Sequence, residues 1–280
     1  MTAGGRLVAV ADGPAGRFAT INDHGIVSVW GGAGEPVAQF GTGIDASASD
    51  RIAITTDPTG TGPEIVVSTW RHGVTGFDPD GGVRWRRRDI RHACGVRALP
   101  VDGGARLVAG VVTDRTGGLV LGATGGTRHR VARADLLAGW PDGSLFVADR
   151  HGTVRQQTPG GLTSAGTTHW KEPLGSFGVL DAAVGDGVLI GGGYGRLTHI
   201  ALDGTVTWRA RLPVPESITK VSATGSGWVC LSTAVRRITP AGTIGPPTEV
   251  PGPPGGWIGF AAAGRYLVGA DGQLVDLERR

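Results

Sequence analysis

One unit of about forty residues recurs along this chain, and a repeat of that period constrains the fold before any single residue is considered. The most legible part is a pair of strands around a short turn. It reads FATINDHGIVSVW from Phe18, IVVSTWRHGVTGF from Ile65, LVAGVVTDRTGGLVLG from Leu107 and LFVADRHGTVRQQ from Leu145. Three further copies are VLIGGGYGRLTHI from Val188, WVCLSTAVRRIT from Trp228 and YLVGADGQLVDL from Tyr266. An apolar strand precedes each pair, and a more charged strand follows it after a tight glycine turn. A single unit of this kind cannot bury its own apolar faces, so the copies must pack against one another. Seven copies over 280 residues predict an all-β, seven-bladed β-propeller of four-stranded antiparallel blades.

The approximate blades are 6–41, 50–90, 94–132, 134–168, 174–212, 217–250 and 256–280, within one domain spanning 1–280. The last has room for only three strands. Arg6 to Asp12 already serves as the first strand of the first blade, so no spare N-terminal strand completes the last one. Ring closure is therefore expected to rest on packing between blades.

Composition agrees with this reading. The 51 glycines and 17 prolines are spread along the whole chain, as a fold made of many turns requires. Helical periodicity is nearly absent; Val131 to Trp140 suits either a short helix or a crossing between blades. No run approaches the roughly 20 apolar residues of a membrane helix, and the first twelve residues read as a strand rather than a signal segment. A cytoplasmic protein with no membrane partner is the expectation. Cys94 and Cys230 lie far apart in strand-like sequence and read as reduced, buried residues. Lys171 and Lys220 are the only lysines, a usage that suits a GC-rich bacterial gene, so arginine content alone reports no function. The net charge of +3 is too small to imply a polyanionic partner.

The connection between third and fourth strands repeats as well. Asp78-Pro79-Asp80-Gly81-Gly82-Val83-Arg84-Trp85 and Leu202-Asp203-Gly204-Thr205-Val206-Thr207-Trp208 are its clearest copies. Asp-Gly between alternating strands is a hairpin signal, because glycine accepts the positive φ of the turn. The tryptophan after it suits an outer strand packed on the neighbouring blade. These two hairpins resemble the quinoprotein-like (PQQ-like) propeller repeat, and the blade pattern of most of the chain is similar to it and to WD40-like propellers, although the WD40 pair of Gly-His and Trp-Asp is missing. The resemblance implies the fold but not the cofactor. Quinone-binding members of that family are larger, eight-bladed and carry adjacent cysteines, which this chain lacks. No cofactor is expected, PQQ least of all.

Propeller geometry places second-to-third turns and inter-blade connections on one face. His24, His72 and His151 fall at such turns, each followed by glycine, and His92 and His169 are assigned to inter-blade connections. Trp70, Arg71, Arg91, Arg150, Trp170, Lys171 and Glu172 accompany them. The expected ligand-binding set at the central mouth is thus Trp70, Arg71, His72, Arg91, His92, Arg150, His151, His169 and Trp170. The repeated His-Gly pairs are equally explained as inherited turn residues. His92 and Cys94, two apart on an extended strand, point the same way and offer two ligands for a divalent metal or a thiolate beside a base. A third ligand would have to come from another blade, and no complete metal set is present.

No HExxH, G-x-S-x-G or P-loop lysine occurs. Gly41-Thr42-Gly43 and the glycines from 191 to 195 have no following helix to form a dinucleotide site. Arg84, Arg86, Arg87 and Arg88, with Arg128, Arg130 and Arg133, read as charges that protect exposed edge strands from unwanted pairing; the alternative is a basic patch on the outer rim, attractive to phosphate or an acidic protein. The reading is a non-catalytic propeller holding a partner protein or small ligand. The alternative is a small metal-assisted or acid/base enzyme of lyase or lactone-hydrolase type. It would use His92, His151 and His169 with Glu172 or Glu216. Nucleic-acid binding by the arginine rim ranks last.

Overall fold

Short apolar runs bounded by glycine and proline turns fold as strands of three to nine residues, with no α-helix among the described residues. The computed structural model describes residues 5–44, 52–56, 65–90, 92–101, 104–111, 118–131, 136–139, 145–148, 153–157, 168–173, 181–201, 203–212, 218, 220–222, 227–230, 234–250, 256–262 and 264–279. The first sheet holds β1 (Leu7–Asp12), β2 (Phe18–Asn22), β3 (Ile26–Trp30) and β4 (Pro36–Gly41). The second holds β5 (Ile52–Thr56), β6 (Ile65–Thr69), β7 (Gly73–Phe77) and β8 (Val83–Arg87). The third comprises β9 (Ala93–Val101), β10 (Gly104–Val111), β11 (Gly118–Leu121) and β12 (Thr127–Val131). The fourth comprises β13 (Leu136–Gly139), β14 (Leu145–Ala148), β15 (Thr153–Gln157) and β16 (Thr168–Pro173). β17 (Asp181–Val184), β18 (Gly187–Gly191), β19 (Arg196–Ala201) and β20 (Val206–Arg211) make the fifth. β21 (Lys220–Ser222), β22 (Gly227–Cys230), β23 (Ala234–Ile238) and β24 (Ile244–Glu249) make the sixth, and β25 (Trp257–Ala261), β26 (Tyr266–Gly269) and β27 (Leu274–Asp276) the seventh.

All pairings are antiparallel between consecutive strands, and the seven sheets among the described residues fit the seven sequence units. Each first strand packs against the first strand of the next sheet, from β1 through β5, β9, β13, β17 and β21 to β25, and β25 packs back on β1. That closed ring of innermost strands is the architecture of a β-propeller. Of the Val131–Trp140 segment, Val131 ends β12 and Leu136–Gly139 form β13, and the rest lies outside the described residues.

Sequence explains which strands read as continuous apolar runs. β6, with the sequence IVVST, is buried along its whole length because neighbouring blades cover both its faces. Ile65, Val67 and, on β7, Phe77 pack with Ala19, Ile21 and Val29 of the first blade. Val66 and Val74 face the other way, onto Ala93, Val96 and Leu121 of the third. A strand buried on two faces loses the polar alternation of a half-exposed one.

A single device recurs between blades. In five of the described third-to-fourth turns, the N–H of the first residue reaches the carbonyl four positions on. The N–H of a left-handed glycine, Gly34, Gly81, Gly125, Gly204 or Gly242, returns to the first carbonyl. This is a type I turn closed by a glycine bulge. At three of these turns the missing Cβ makes room for a ring from the preceding blade. An added Cβ would lie 2.5 Å from Phe40 at Gly81, 2.7 Å from Trp85 at Gly125 and 2.7 Å from Trp208 at Gly242. The Trp85 indole N–H donates to the Ala123 carbonyl at 2.9 Å, and that of Trp208 to the Pro240 carbonyl at 2.9 Å. The expected packing of these tryptophans on the next blade is thus observed.

Closure follows the same logic with different residues. The seventh sheet has three strands among the described residues, so no fourth-strand ring meets Gly34. Tyr266 and Leu274 take that place, at 3.6 and 3.5 Å from an added Cβ. Tyr266 also packs on Phe18, ring centroids 6.0 Å apart, and Phe18 stacks on Trp30 at 5.8 Å. The Leu7 N–H crosses the seam to the Ala270 carbonyl at 2.7 Å. Arg265 lies over the Tyr266 ring and pairs with Asp276 at 3.0 Å, and that hydrogen bond holds the Asp276 carboxyl below its usual range.

Cys94 lies in β9 of the third sheet and Cys230 in β22 of the sixth, which are not neighbours in the ring. A disulfide needs Cα atoms within about 7 Å. Titration of the denatured, unreduced protein with a thiol reagent is therefore expected to find both cysteines free; finding neither would contradict this ring order.

Candidate functional site

The turn between β6 and β7 is Trp70-Arg71-His72, closed by Gly73 at φ +80°. The Thr69 hydroxyl accepts the His72 N–H at 3.0 Å, an ordinary capping of a tight turn by a threonine side chain. The chain leaving β8 then folds back over this turn. The His92 N–H donates to the Trp70 carbonyl at 2.8 Å, and the two rings meet with centroids 4.6 Å apart at 37°. His92 adopts φ +61°, a left-handed conformation that histidine accepts more readily than most residues.

Beside this junction opens a cavity of about 700 Å³, lined by Gly43 and Ile44 from the exit of the first blade, by Trp70, Arg71, His72 and Thr75, and by Arg86, Arg88 and His92. Strand alternation explains its charge. Arg86 pairs with Thr75 across β7 and β8, and these side chains face the first blade, where Arg86 also reaches the Thr42 carbonyl at 3.5 Å. Trp85 and Arg87 face the third blade instead. Arg87 reaches the Gly125 carbonyl at 2.6 Å and the Thr127 hydroxyl at 3.1 Å.

The nearby carboxylates are engaged away from the cavity. Asp89 is held by two hydrogen bonds from Arg87, both 2.7 Å, which keep its carboxyl below the ordinary range and raise the Arg87 guanidinium. Asp78 pairs with Arg84 at the opposite end of β8. Three guanidiniums and two imidazoles thus line the cavity, and no carboxylate does among the described residues. Such a lining is complementary to negative charge. No three His, Cys, Asp or Glu side chains come together as metal ligands among the described residues.

Of the residues singled out by sequence, Trp70, Arg71, His72 and His92 are brought together here. His169, Trp170, Lys171 and Glu172 are not. They lie within β16, the fourth strand of the fourth sheet, rather than in an inter-blade connection. The strand pairs with β15 through a register shift at Gln156/Gln157, as the other fourth strands do, but follows a longer connection than they do. Arg91, Arg150, His151 and Glu216 lie outside the described residues.

The extended strand expected to run from His92 to Cys94 does not include His92. The left-handed His92 precedes β9, and Cys94 falls at the register shift where Ala93 and Gly95 pair with successive residues of β10. The cavity's described lining residues come from the β6–β7 turn, the blade exits and strands β7 and β8, and none of them belongs to an innermost strand. Arg86 and Arg88 were read first as edge protection, with a basic patch on the outer rim as the alternative. Their spacing after a Trp-Arg-His turn was the signal that they share a site with it.

His24 and His72 behave as turn residues, each preceding the glycine that supplies the positive φ. A further histidine cluster went unread: His199 stacks on Trp208 at 5.6 Å, with Nδ1 2.6 Å from the Thr207 hydroxyl and Nε2 3.5 Å from Asp186.

No protein-family model and no curated protein sequence matches the chain. Solved structures do. The WD40 domain of Pan2 from Neurospora crassa superposes with a TM-score of 0.70 at 12% identity, over 98% of this chain and 87% of that one. BamB from Moraxella catarrhalis gives a TM-score of 0.62 at 14% identity, over 95% and 83% respectively. The fold is that of a WD40-like and PQQ-like β-propeller.

Proposed function

We propose that this protein is a non-catalytic cytoplasmic scaffold that binds its ligand in the basic cavity between the first and second blades. The observation that carries the reading is the composition of that cavity: Trp70, His72 and His92 beside three arginines. A concave pocket of several hundred Å³ with convergent polar groups is the usual form of a small-ligand site. The rigid ring beneath it holds the two blades in fixed relation, which suits recognition. The propeller neighbours are consistent with a binding scaffold.

The test is a thermal-shift screen of small metabolites combined with analysis of the recovered ligand. A compound that raises the melting temperature and returns chemically unchanged supports the reading. A compound consumed by substoichiometric protein, with turnover lost in His72→Ala or His92→Ala, would replace it with an enzymatic one.

A further inference from the structure

We propose that the cavity between the first two blades is an oxyanion site for a phosphate-bearing small molecule. This rests on the reading of the cavity as a binding site and adds the chemical class of what it binds. Arg86 lies on β8 and Arg88 in the turn that follows it. Arg84 stands at the end of β8 near the hairpin and is paired with Asp78. Arg86 and Arg88 line the cavity, both with exposed side chains, and neither meets a carboxylate among the described residues.

Arg86 and Arg88, close together with no carboxylate between them among the described residues, repel one another, and an oxyanion relieves that repulsion by accepting paired N–H bonds from the planar forks. Arg71 extends the same cationic lining from the β6–β7 turn. His72 and His92 add imidazole groups to the same lining.

The site is held by both blades. Arg86 reaches the Thr42 carbonyl of the first blade while its own backbone belongs to the second. Trp70, backed by the His92 ring, offers an aromatic wall beside the cations. A phosphate could therefore arrive as free pyrophosphate or attached to a planar base, and the wall distinguishes the two.

Isothermal titration at low salt with pyrophosphate, ADP and adenosine tests the assignment. Pyrophosphate and ADP are expected to bind one per chain, and adenosine at least about tenfold more weakly, since the charge-assisted bonds are lost. Tighter binding of ADP than of pyrophosphate assigns a nucleotide-like ligand; equal affinity assigns the free anion. Arg86→Gln and Arg88→Gln should each weaken binding about tenfold, whereas Arg84→Gln, which removes the same charge outside the cavity, should change it less than about twofold.

Dissociation constants for both phosphates above about 1 mM would overturn the proposal. So would equal losses in all three variants, which would mark general surface attraction. If neither phosphate binds but an uncharged heteroaromatic compound stabilises the protein through Trp70, the oxyanion assignment fails while the scaffold reading stands. Hydrolysis of ADP during the titration would instead sink the scaffold reading.

Discussion

Phe18→Ala lowers the unfolding free energy by about 3–5 kcal/mol, the range for removing a fully buried aromatic ring. Phe18 is 1% exposed and lies where the last blade meets the first. Its ring stacks on Trp30 and packs on Tyr266, and its cluster includes Ala261, Val268, Leu7 and Val10. The loss is larger here than at an ordinary core position for a structural reason. Within the described residues, the seventh sheet has no fourth strand to lay a ring on Gly34, so Phe18 and Tyr266 carry the apolar part of the closure. Chemical denaturation measures the change, with Val37→Ser as the comparison. Val37 is 51% exposed on the outer strand β4, and its replacement should alter stability by less than about 0.5 kcal/mol. A Phe18→Ala loss under about 1.5 kcal/mol would show that the seam is held by other contacts.

Gly73→Ala is expected to cost more than about 3 kcal/mol and to abolish ligand binding in the cavity. Two effects add. An L residue at φ +80° pays about 1–2 kcal/mol for the left-handed conformation, and its Cβ would lie inside the contact surface of the Arg87 carbonyl oxygen, with the Ile90 carbonyl at 3.1 Å. Those carbonyls belong to the exit of β8, so relief of the clash displaces Arg88 and His92 together. Gly43→Ala is the discriminating comparison. Gly43 has φ +67°, also lines the cavity, and has nothing within 4 Å of an added Cβ. It should cost only about 1 kcal/mol, because conformational strain is partly offset by a less flexible unfolded chain. Equal losses in the two variants would remove the carbonyl clash from the account.

Part of the site was legible because it is built from a repeat position. Trp70, Arg71 and His72 occupy a second-to-third turn, and any propeller puts such turns on the same face as the exits toward the next blade. His92 was assigned to such an exit and lies there. His169 was misplaced because the connection before its strand, residues 158–167, is longer than the third-to-fourth turns of the other sheets and so delays the outer strand beyond its expected place in the repeat. Arg86 and Arg88 were hidden for a different reason. A run of arginines on an outer strand looks the same whether it faces solvent or a cleft, and only the position of the first blade decides which.

The amino-acid pattern by itself determined the number of units, their antiparallel hairpins and the glycines at positive φ, because these depend on local sterics and on a period of about forty residues. It also indicated that Trp85 and Trp208 pack on a neighbouring blade. The tertiary structure alone decided how the ring closes without a fourth strand in the last sheet, and which arginines face one another across a blade boundary. Both depend on residues far apart in the chain: Phe18 meets Tyr266, and Arg86 meets Thr42. Local preference has no means of encoding such a meeting; the packing of whole blades brings it about.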